Sequence, residues 1–258
     1  MTDTILITGA SDGIGAVYAD RLARRGNNLI LVARRADKLA ALAARLTADT
    51  GISVETITGD LASDEDLARI ETRLRNDASI TGLVNNAGIA GEGKIVDADP
   101  AYITAMIYLN ILTVALLSAA IAPRLAAKGA GTIINLTSVT ALMPEAFTAV
   151  YPTTKAFVLA FTEALNAELG PQGVRVQAVL PGITRTAIRT DEQMASLPAH
   201  MVMEVDEMVD AALRGFDIGE TIAIPALPDN ADLDTYIAAR TALRPNLSRD
   251  HAAARYAA

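Results

Sequence analysis

Short apolar runs rich in β-branched residues alternate with longer amphipathic segments along most of the chain. The short runs predict strands over Thr4–Thr8, Asn28–Ala33, Ile52–Ile57, Ile80–Asn85, Thr132–Thr137, Val174–Leu180 and Glu220–Pro225. The segments between them, such as Ala36–Asp49 and Asp64–Asn76, repeat their apolar residues with the 3.6-residue period of helices. Strands that are apolar on both faces and separated by helices indicate a parallel sheet covered on both sides. Right-handed crossovers then predict an α/β, doubly wound fold with a seven-stranded parallel sheet.

The chain contains no internal repeat, low-complexity tract or Gly/Ser-rich linker, so we predict that residues 1–258 form a single domain. The pattern changes after Pro225, because residues 226–258 are rich in Asp, Arg and Ala. We expect one helix around Asp232–Leu243 and an irregular tail after it. Two interpretations of this segment stay open: a packed surface appendage, or a subunit contact or lid edge.

Composition and charge exclude several classes of function. The chain has no cysteine, which excludes disulfides, iron–sulfur clusters and cysteine nucleophiles, and it shows no constellation of metal ligands. Its net charge of −8 argues against a nucleic-acid-binding surface or a polybasic membrane patch. The first residues lack the basic start of a signal peptide, and polar residues interrupt the most apolar segment, Ala105–Pro123. We therefore expect a cytoplasmic protein in which this segment is a helix of the core or of a subunit interface.

A glycine-rich turn follows the first predicted strand and precedes a helix. It reads Thr8-Gly9-Ala10-Ser11-Asp12-Gly13-Ile14-Gly15. Glycines allow backbone angles that a Cβ forbids, and they let a phosphate approach the free N–H groups of the helix N-terminus. At the first strand-to-helix junction of an alternating α/β chain, such a turn indicates a dinucleotide-binding site.

The order of motifs along Thr4–Pro225 resembles the short-chain dehydrogenase/reductase family. The motifs are Thr8–Gly15, Asn85–Gly88, Asn110, Ser138, Tyr151–Lys155 and Pro181-Gly182. The resemblance implies a Rossmann-type fold and an NAD(P)-dependent oxidoreductase that acts on a carbonyl/alcohol pair. Two alternatives remain: a non-catalytic dinucleotide-binding regulator, and an enzyme of the same fold that uses the dinucleotide for epimerisation or dehydration.

The resemblance also implies which residues bind the cofactor. The residues lining the pyrophosphate and the adenosine ribose would be Gly9, Ser11, Gly13, Ile14 and Gly15. Asp60 would meet the adenine amino group. The adenine-ribose side would be lined by Asn86, Ala87 and Gly88, which also stabilise the end of a strand in this family. The nicotinamide side would be formed by Pro181, Gly182, Ile183 and Thr186, of which Ile183 and Thr186 would touch the carboxamide.

The end of the second predicted strand indicates which dinucleotide binds. An acidic residue there accepts hydrogen bonds from the 2′-hydroxyl of NAD, whereas a basic residue meets the 2′-phosphate of NADP. This chain has Arg34 and Arg35 at that point, and the guanidinium fork suits a phosphate. Asp12 stands where many NADP-dependent relatives carry a basic residue, and the two arginines could also be exposed charges at a helix start. We predict NADP, with NAD still possible.

Four residues form the expected catalytic group. Tyr151 and Lys155 share one helix face, and an adjacent ammonium favours the phenolate form of a tyrosine. The resemblance assigns Tyr151 as general acid or base and Lys155 as its electrostatic partner and a ligand of the nicotinamide ribose. Ser138 could donate a hydrogen bond to the substrate oxygen. The resemblance places Asn110 at a helix irregularity, beside a water that relays protons through Lys155.

The expected substrate is a small, mostly apolar carbonyl or alcohol. We predict that residues 139–150 and residues 187–205 line its pocket. The apolar side chains expected there are Leu142, Met143, Phe147, Ile188, Met194, Leu197, Met201 and Met203. The helix over 105–123 and the helix beginning at Tyr151 look too apolar for solvated surfaces, and relatives pair these two helices across a two-fold axis. We therefore predict a homodimer or homotetramer.

Overall fold

A computed structural model describes residues 3–91, 93–186 and 191–256. The chain divides into two compact units, Met1–Pro225 and Ala226–Ala258. In the described part of the first unit, seven strands form one parallel sheet in the order β3-β2-β1-β4-β5-β6-β9. The predicted doubly wound fold is confirmed. The assignment of all 258 residues to a single domain stays a prediction.

The strand boundaries follow the apolar runs closely. The strands are β1 Thr4–Thr8, β2 Asn28–Ala33, β3 Val54–Thr58, β4 Ile80–Asn85, β5 Gly131–Leu136, β6 Val174–Val179, β7 Ile183–Thr184, β8 Val202–Met203 and β9 Ile222–Ala223. Three predictions were exact in both bounds, those for β1, β2 and β4. The prediction of a strand over Glu220–Pro225 was wrong in extent, because β9 pairs only at Ala178 and Val179 of its single neighbour, β6. The short β7 and β8 pair with each other in a separate two-stranded sheet.

Helices cover both faces of the large sheet. They are α1 Gly13–Arg24, α2 Ala36–Thr50, α3 Asp64–Asn76, α4 Pro100–Ile107, α5 Thr113–Lys128, α6 Val150–Leu169, α7 Asp191–Ala195, α8 Val205–Asp217 and α9 Ala231–Ala242. One buried cluster joins α1, α2 and α8 to one face, and another joins α3, α5 and α6 to the opposite face. This two-sided cover explains why the central strands are apolar at almost every position.

The helix that contains Asn110 is irregular, as the family resemblance implies. A π-helical turn over Tyr108–Leu112 separates α4 from α5. By length and composition alone, Pro100–Lys128 could cross a membrane, since its 29 residues include an 18-residue window of mean hydropathy 2.1. Two of its polar side chains nevertheless make hydrogen bonds to the protein core. The Thr113 hydroxyl donates to the carbonyl of Leu61 at 3.0 Å, and the Ser118 hydroxyl accepts from the Asn85 amide at 3.1 Å.

The second unit, Ala226–Ala258, consists of α9 and two short 3₁₀ turns in its described residues. Leu233 is its buried apolar residue, whereas Tyr236, Leu243, Leu247 and Tyr256 are exposed. The prediction of a helix around Asp232–Leu243 is confirmed with a shift of one residue at each end.

Candidate functional site

The glycine turn lies where the sheet order reverses. β1 has β2 on one side and β4 on the other. Helix α1, which follows β1, packs on one face of the sheet, whereas helix α5, which comes after β4, packs on the opposite face. The carboxyl ends of strands at such a point open a crevice in which α/β proteins bind ligands. The loops after β1, β4 and β5, which carry the predicted motifs, therefore all end at the same edge.

Two glycines of this turn permit a close backbone approach. Gly9 has φ +65°, and a Cβ there would lie 2.8 Å from Asn86 Nδ2 and 2.9 Å from Ala87 Cα. A Cβ on Gly15 would lie 2.5 Å from Asn86 Nδ2. The turn after β1 and the loop after β4 are thus packed directly against each other, and a side chain at either glycine would separate them.

Asn86 holds that contact with its own hydrogen bonds. Its Nδ2 donates to the carbonyls of Thr8 at 2.9 Å and Gly9 at 3.1 Å. The Thr8 hydroxyl accepts from the backbone N–H groups of Asn86 at 2.9 Å and Ala87 at 3.0 Å. These bonds give Asn86 and Ala87 the strand-stabilising role expected from sequence and keep the crevice rigid.

The N-terminus of α1 carries a carboxylate that is fully paired. Asp12 caps the helix, accepting from the N–H of Gly13 at 2.8 Å, and it also accepts from Lys38 Nζ at 2.7 Å. Arg35 Nη1 lies 3.4 Å from the same carboxylate. The hydrogen bond from Lys38, together with the charges of Lys38 and Arg35, lowers the pKa of Asp12 below its ordinary value although burial opposes this. Sequence reasoning missed Lys38, whose only signal was its position in the first turn of α2.

A basic cluster forms at the adenosine end of the crevice. Arg35 donates to the Ser11 hydroxyl at 3.1 and 3.3 Å, which brings two predicted cofactor residues together. Arg34 is largely exposed, with Nη1 4.0 Å from Asp60 Oδ2. Together with Lys38, these arginines set three cations against the two carboxylates of Asp12 and Asp60.

The predicted nicotinamide segment approaches the glycine turn. A Cβ on Gly13 would lie 3.4 Å from Thr186 Cβ and Cγ2. The carbonyl of Pro181 accepts from the N–H of Val139 at 3.1 Å, which ties this segment to the loop after β5. A Cβ on Gly182 would meet no atom of the described chain within 4 Å, and Ile183 pairs with Val202 across β7 and β8. Residues 187–190, part of a predicted substrate segment that includes Ile188, lie outside the described residues.

Asn110 is buried and uses both ends of its amide. Its Oδ1 accepts from the N–H of Ile89 at 2.9 Å, and its Nδ2 donates to the carbonyl of Ile89 at 2.9 Å. The same Nδ2 donates to the Thr154 hydroxyl at 3.1 Å. A Cβ on Gly88 would lie 3.1 Å from Asn110 Oδ1 and 3.5 Å from Lys155 Nζ, so these two side chains approach the same point.

Tyr151 and Lys155 lie one turn apart near the start of α6. Lys155 Nζ is 5.8 Å from the centroid of the Tyr151 ring and donates to the carbonyl of Leu136 at 3.1 Å. Burial lowers the pKa of Lys155 to about 8, so the ammonium still holds its proton at neutral pH. Pro152 occupies the first turn of α6, where its missing N–H costs no hydrogen bond.

Ser138 follows β5 in extended backbone and is 7% exposed. Its Oγ accepts from the N–H of Thr140 at 3.2 Å and from the Thr140 hydroxyl at 3.0 Å. On the preceding residue, the Thr137 hydroxyl donates to the carbonyl of Lys155 at 2.6 Å, which fixes the end of β5 against α6. The four predicted catalytic residues therefore converge at one end of the sheet.

A cavity of about 330 Å³ lies between the loop after β4, helix α4 and the start of α6. Its lining includes Gly91, Tyr102, Met106, Val150 and Tyr151. Val150 and its neighbours Thr148 and Ala149 belong to the predicted substrate segment 139–150, whereas the wall formed by Gly91, Tyr102 and Met106 lies outside both predicted segments. Of the apolar residues predicted there, Met194 is buried, whereas Met143, Phe147 and Met201 are more than half exposed.

The chain is similar in sequence and in fold to known proteins. The family described as short chain dehydrogenase matches residues 3–196. A short-chain dehydrogenase from Sphingobium yanoikuyae, solved in complex with NADPH, is 48% identical with a TM-score of 0.95, over 99% of this chain and 100% of that chain. The bulky-bulky ketone specific alcohol dehydrogenase from Comamonas testosteroni is 44% identical with a TM-score of 0.92, over 99% of each chain.

Curated relatives match over a shorter part of their length. A very-long-chain 3-oxoacyl-CoA reductase of Danio rerio is 34% identical over 188 residues, which is 71% of this chain and 60% of that protein. The chain thus spans about three fifths of the length of the curated relatives it matches.

Proposed function

Because this chain belongs to the short-chain dehydrogenase family, we propose that it is an oxidoreductase that prefers NADPH and interconverts a ketone and an alcohol. The observation that carries the proposal is the convergence of Ser138, Tyr151, Lys155 and Asn110 at the crevice beside the glycine turn. A protein that only bound a dinucleotide would need the turn but not this group of proton-handling side chains.

Each of the four residues has a role that fits its surroundings. Tyr151 holds the proton that passes to the substrate oxygen during reduction and takes it back during oxidation. Lys155 keeps a positive charge beside the Tyr151 ring, which favours the phenolate left after proton transfer. Ser138 donates a hydrogen bond to the substrate oxygen, and Asn110 holds the loop after β4 in place through Ile89.

The crevice has the chemistry that a dinucleotide phosphate requires. The free N–H groups at the α1 N-terminus suit a pyrophosphate, and Gly9 and Gly15 let the turn pack directly against Asn86, which keeps the shape of that site. Arg34 and Arg35 lie at the end of β2, where a 2′-phosphate would bind, and Lys38 offsets the charge of Asp12. Bound NADPH would supply the hydride for reduction of the carbonyl carbon.

We propose a ketone with two bulky, mostly apolar substituents as the substrate. The name of the Comamonas testosteroni relative, which is 44% identical, supports this class. The cavity beside Tyr151 supports a substrate of this size, because about 330 Å³ falls within the range of small-molecule pockets. Met106, Ile103 and Val150 give it apolar walls, and Asp97 and Asp99 add a polar side.

A homodimer or homotetramer remains our proposal for the assembly. Ile107 and Leu112 on the α4–α5 helix are 44% and 40% exposed, and Phe157 on α6 is 37% exposed and stacks on Phe161 at 5.8 Å. Such apolar helix surfaces favour burial against a second copy. Light scattering at micromolar concentration should give a multiple of 27.0 kDa, and a mass of 27.0 kDa would contradict the proposal.

We also propose a cytoplasmic location. The buried hydrogen bonds of Asn110, Thr113 and Ser118 support it, because they join the most apolar helix to the protein core rather than to lipid. The expressed chain should remain in the supernatant after membranes are sedimented without detergent. Recovery in the membrane pellet would oppose this location.

The central test measures NADPH oxidation with a series of aryl alkyl ketones of increasing size. The wild-type chain should turn over at least one bulky ketone, and Tyr151→Phe should abolish turnover while NADPH still binds. Tyr256→Phe is the matched control, because Tyr256 is 70% exposed in the second unit. Loss of turnover in both variants, or in neither, would contradict the role of Tyr151.

Cofactor choice is tested separately. Replacing both Arg34 and Arg35 by Ala should raise the KM for NADPH by about tenfold or more while the KM for NADH changes little, since each charged hydrogen bond contributes about 1.5–3 kcal/mol. Arg75→Ala serves as control, because Arg75 pairs with Glu71 on the surface of α3. Equal effects on NADPH and NADH would refute the phosphate-binding role.

A further inference from the structure

The backbone on both sides of Ser138 is held by the neighbouring strand. The N–H of Thr137 donates to the carbonyl of Val179 at 2.8 Å, and the N–H of Val139 donates to the carbonyl of Pro181 at 3.1 Å. Because these bonds fix the position of the Cα of Ser138, the remaining freedom lies in its side chain and in the direction of its hydroxyl proton.

Thr140 removes that freedom. Its N–H and its hydroxyl donate to Ser138 Oγ at 3.2 and 3.0 Å. A serine oxygen has two lone pairs and one O–H group, so two donors fill its accepting capacity. The proton of Ser138 is then directed away from Thr140, and the 7% exposure of this residue limits the access of solvent to it.

We propose that Thr140 is a positioning residue that makes Ser138 a hydrogen-bond donor to the substrate carbonyl oxygen. This proposal rests on the proposed ketone reduction. Without the Thr140 hydroxyl, Ser138 Oγ keeps one open lone pair, and its proton turns away from the substrate oxygen for part of the time. A donor that is already oriented stabilises the charge developing on that oxygen without reorganisation. The adjacent Val139 and Ala141 carry no hydroxyl that could replace Thr140.

The test compares Thr140→Val and Thr140→Ala with Thr140→Ser, which keeps the hydroxyl. With NADPH and the aryl alkyl ketone that the wild type reduces fastest, we expect Val and Ala to lower kcat by about tenfold with KM within about threefold. Thr140→Ser should stay within about threefold of the wild-type kcat, because the donor is retained. Thr72→Val is the control, since Thr72 is exposed on α3 and its hydroxyl donates to the carbonyl of Ala68 in the same helix.

A double-mutant cycle separates positioning from a structural role. If Thr140 acts through Ser138, adding Thr140→Val to Ser138→Ala should change kcat by less than about twofold. Three results would each overturn the proposal. The first is a kcat of the double variant that is the product of the two single losses. The others are a kcat of Thr140→Ser as low as that of Thr140→Val, and an unchanged kcat in both Thr140→Val and Thr140→Ala. Absence of turnover in the wild type would instead refute the proposed function, which distinguishes the two failures.

Discussion

Replacing Lys155 by Met should make the folded chain more stable while it removes activity. Lys155 is 7% exposed, and burial lowers its pKa from 10.5 to about 8. One pKa unit corresponds to about 1.4 kcal/mol, so keeping this ammonium protonated in the folded state costs about 3 kcal/mol at neutral pH. The variant loses the hydrogen bond from the charged Nζ to the carbonyl of Leu136, which contributes about 1.5–3 kcal/mol. We therefore expect a net gain of up to about 1.5 kcal/mol in the free energy of unfolding at neutral pH.

The gain should depend on pH in a direction set by the lowered pKa. Between pH 8 and 10.5 the unfolded chain holds more protons at this lysine than the folded chain does. The free energy of unfolding of the wild type must then rise with pH through this window, relative to a variant that cannot titrate there. The free energy of unfolding of Lys155→Met relative to the wild type is thus highest below pH 8 and should fall by about 2 kcal/mol between pH 7 and pH 9.5.

Urea denaturation followed by far-ultraviolet circular dichroism measures both effects. The two proteins are compared without cofactor, at one protein concentration, and at pH 7 and pH 9.5. Lys128→Met is the control, because Lys128 is exposed in the last turn of α5 and should change stability by less than about 0.5 kcal/mol. A Lys155→Met variant less stable than the wild type at pH 7, or a difference that does not vary with pH, would refute the reasoning.

Three further substitutions test other parts of the structure. Tyr18→Phe should raise the free energy of unfolding by about 1 kcal/mol, because the wholly buried hydroxyl of Tyr18 has no hydrogen-bond partner among the described residues. A lower midpoint in thermal unfolding would contradict this. Asp20→Asn should lower the free energy of unfolding, measured in urea at neutral pH, by about 2–4 kcal/mol. Burial opposes ionisation of Asp20, but hydrogen bonds from Arg24, Arg45 and Arg21 hold its pKa far below 3.8. That difference should fade as the pH drops below 3.8, and a constant difference would argue against the ion pairs as its source. Gly9→Ala should weaken NADPH binding and lower the free energy of unfolding by about 1–3 kcal/mol, because Gly9 has φ +65° and an added Cβ would lie 2.8 Å from Asn86 Nδ2. Fluorescence titration measures the affinity for NADPH, and an unchanged affinity would speak against close packing there.

The location of Ser138, Tyr151 and Lys155 was predictable because they belong to short motifs beside the end of a strand or at the start of a helix. Ser138 comes two residues after β5, and Tyr151 and Lys155 lie in the first turns of α6. In a parallel sheet, strand ends meet at one edge, so the spacing along the chain already indicates which motifs face each other. Their catalytic roles remain predictions for the assays above.

Contacts between side chains from distant segments could not be predicted in the same way. The pairing of Lys38 with Asp12 changes the interpretation of Asp12, which on sequence grounds weakened the prediction of NADP. The cavity wall at Tyr102 and Met106 likewise depends on how α4 packs near the start of α6. Such contacts depend on the direction of each side chain and on the position of each helix. The spacing of hydrophobic residues along the sequence determines neither of them.

The sequence by itself determined the alternation of strands and helices and the bounds of β1, β2 and β4, because buried parallel strands leave continuous apolar runs. It also located the glycine turn and the tyrosine–lysine pair, since both depend on local spacing. Only the tertiary structure decided that Lys155 lies in surroundings that lower its pKa to about 8, and that Lys38 of α2 donates to Asp12 at the start of α1. Desolvation and hydrogen-bond direction are set by atoms from many segments at once, and they exist only when the chain is folded.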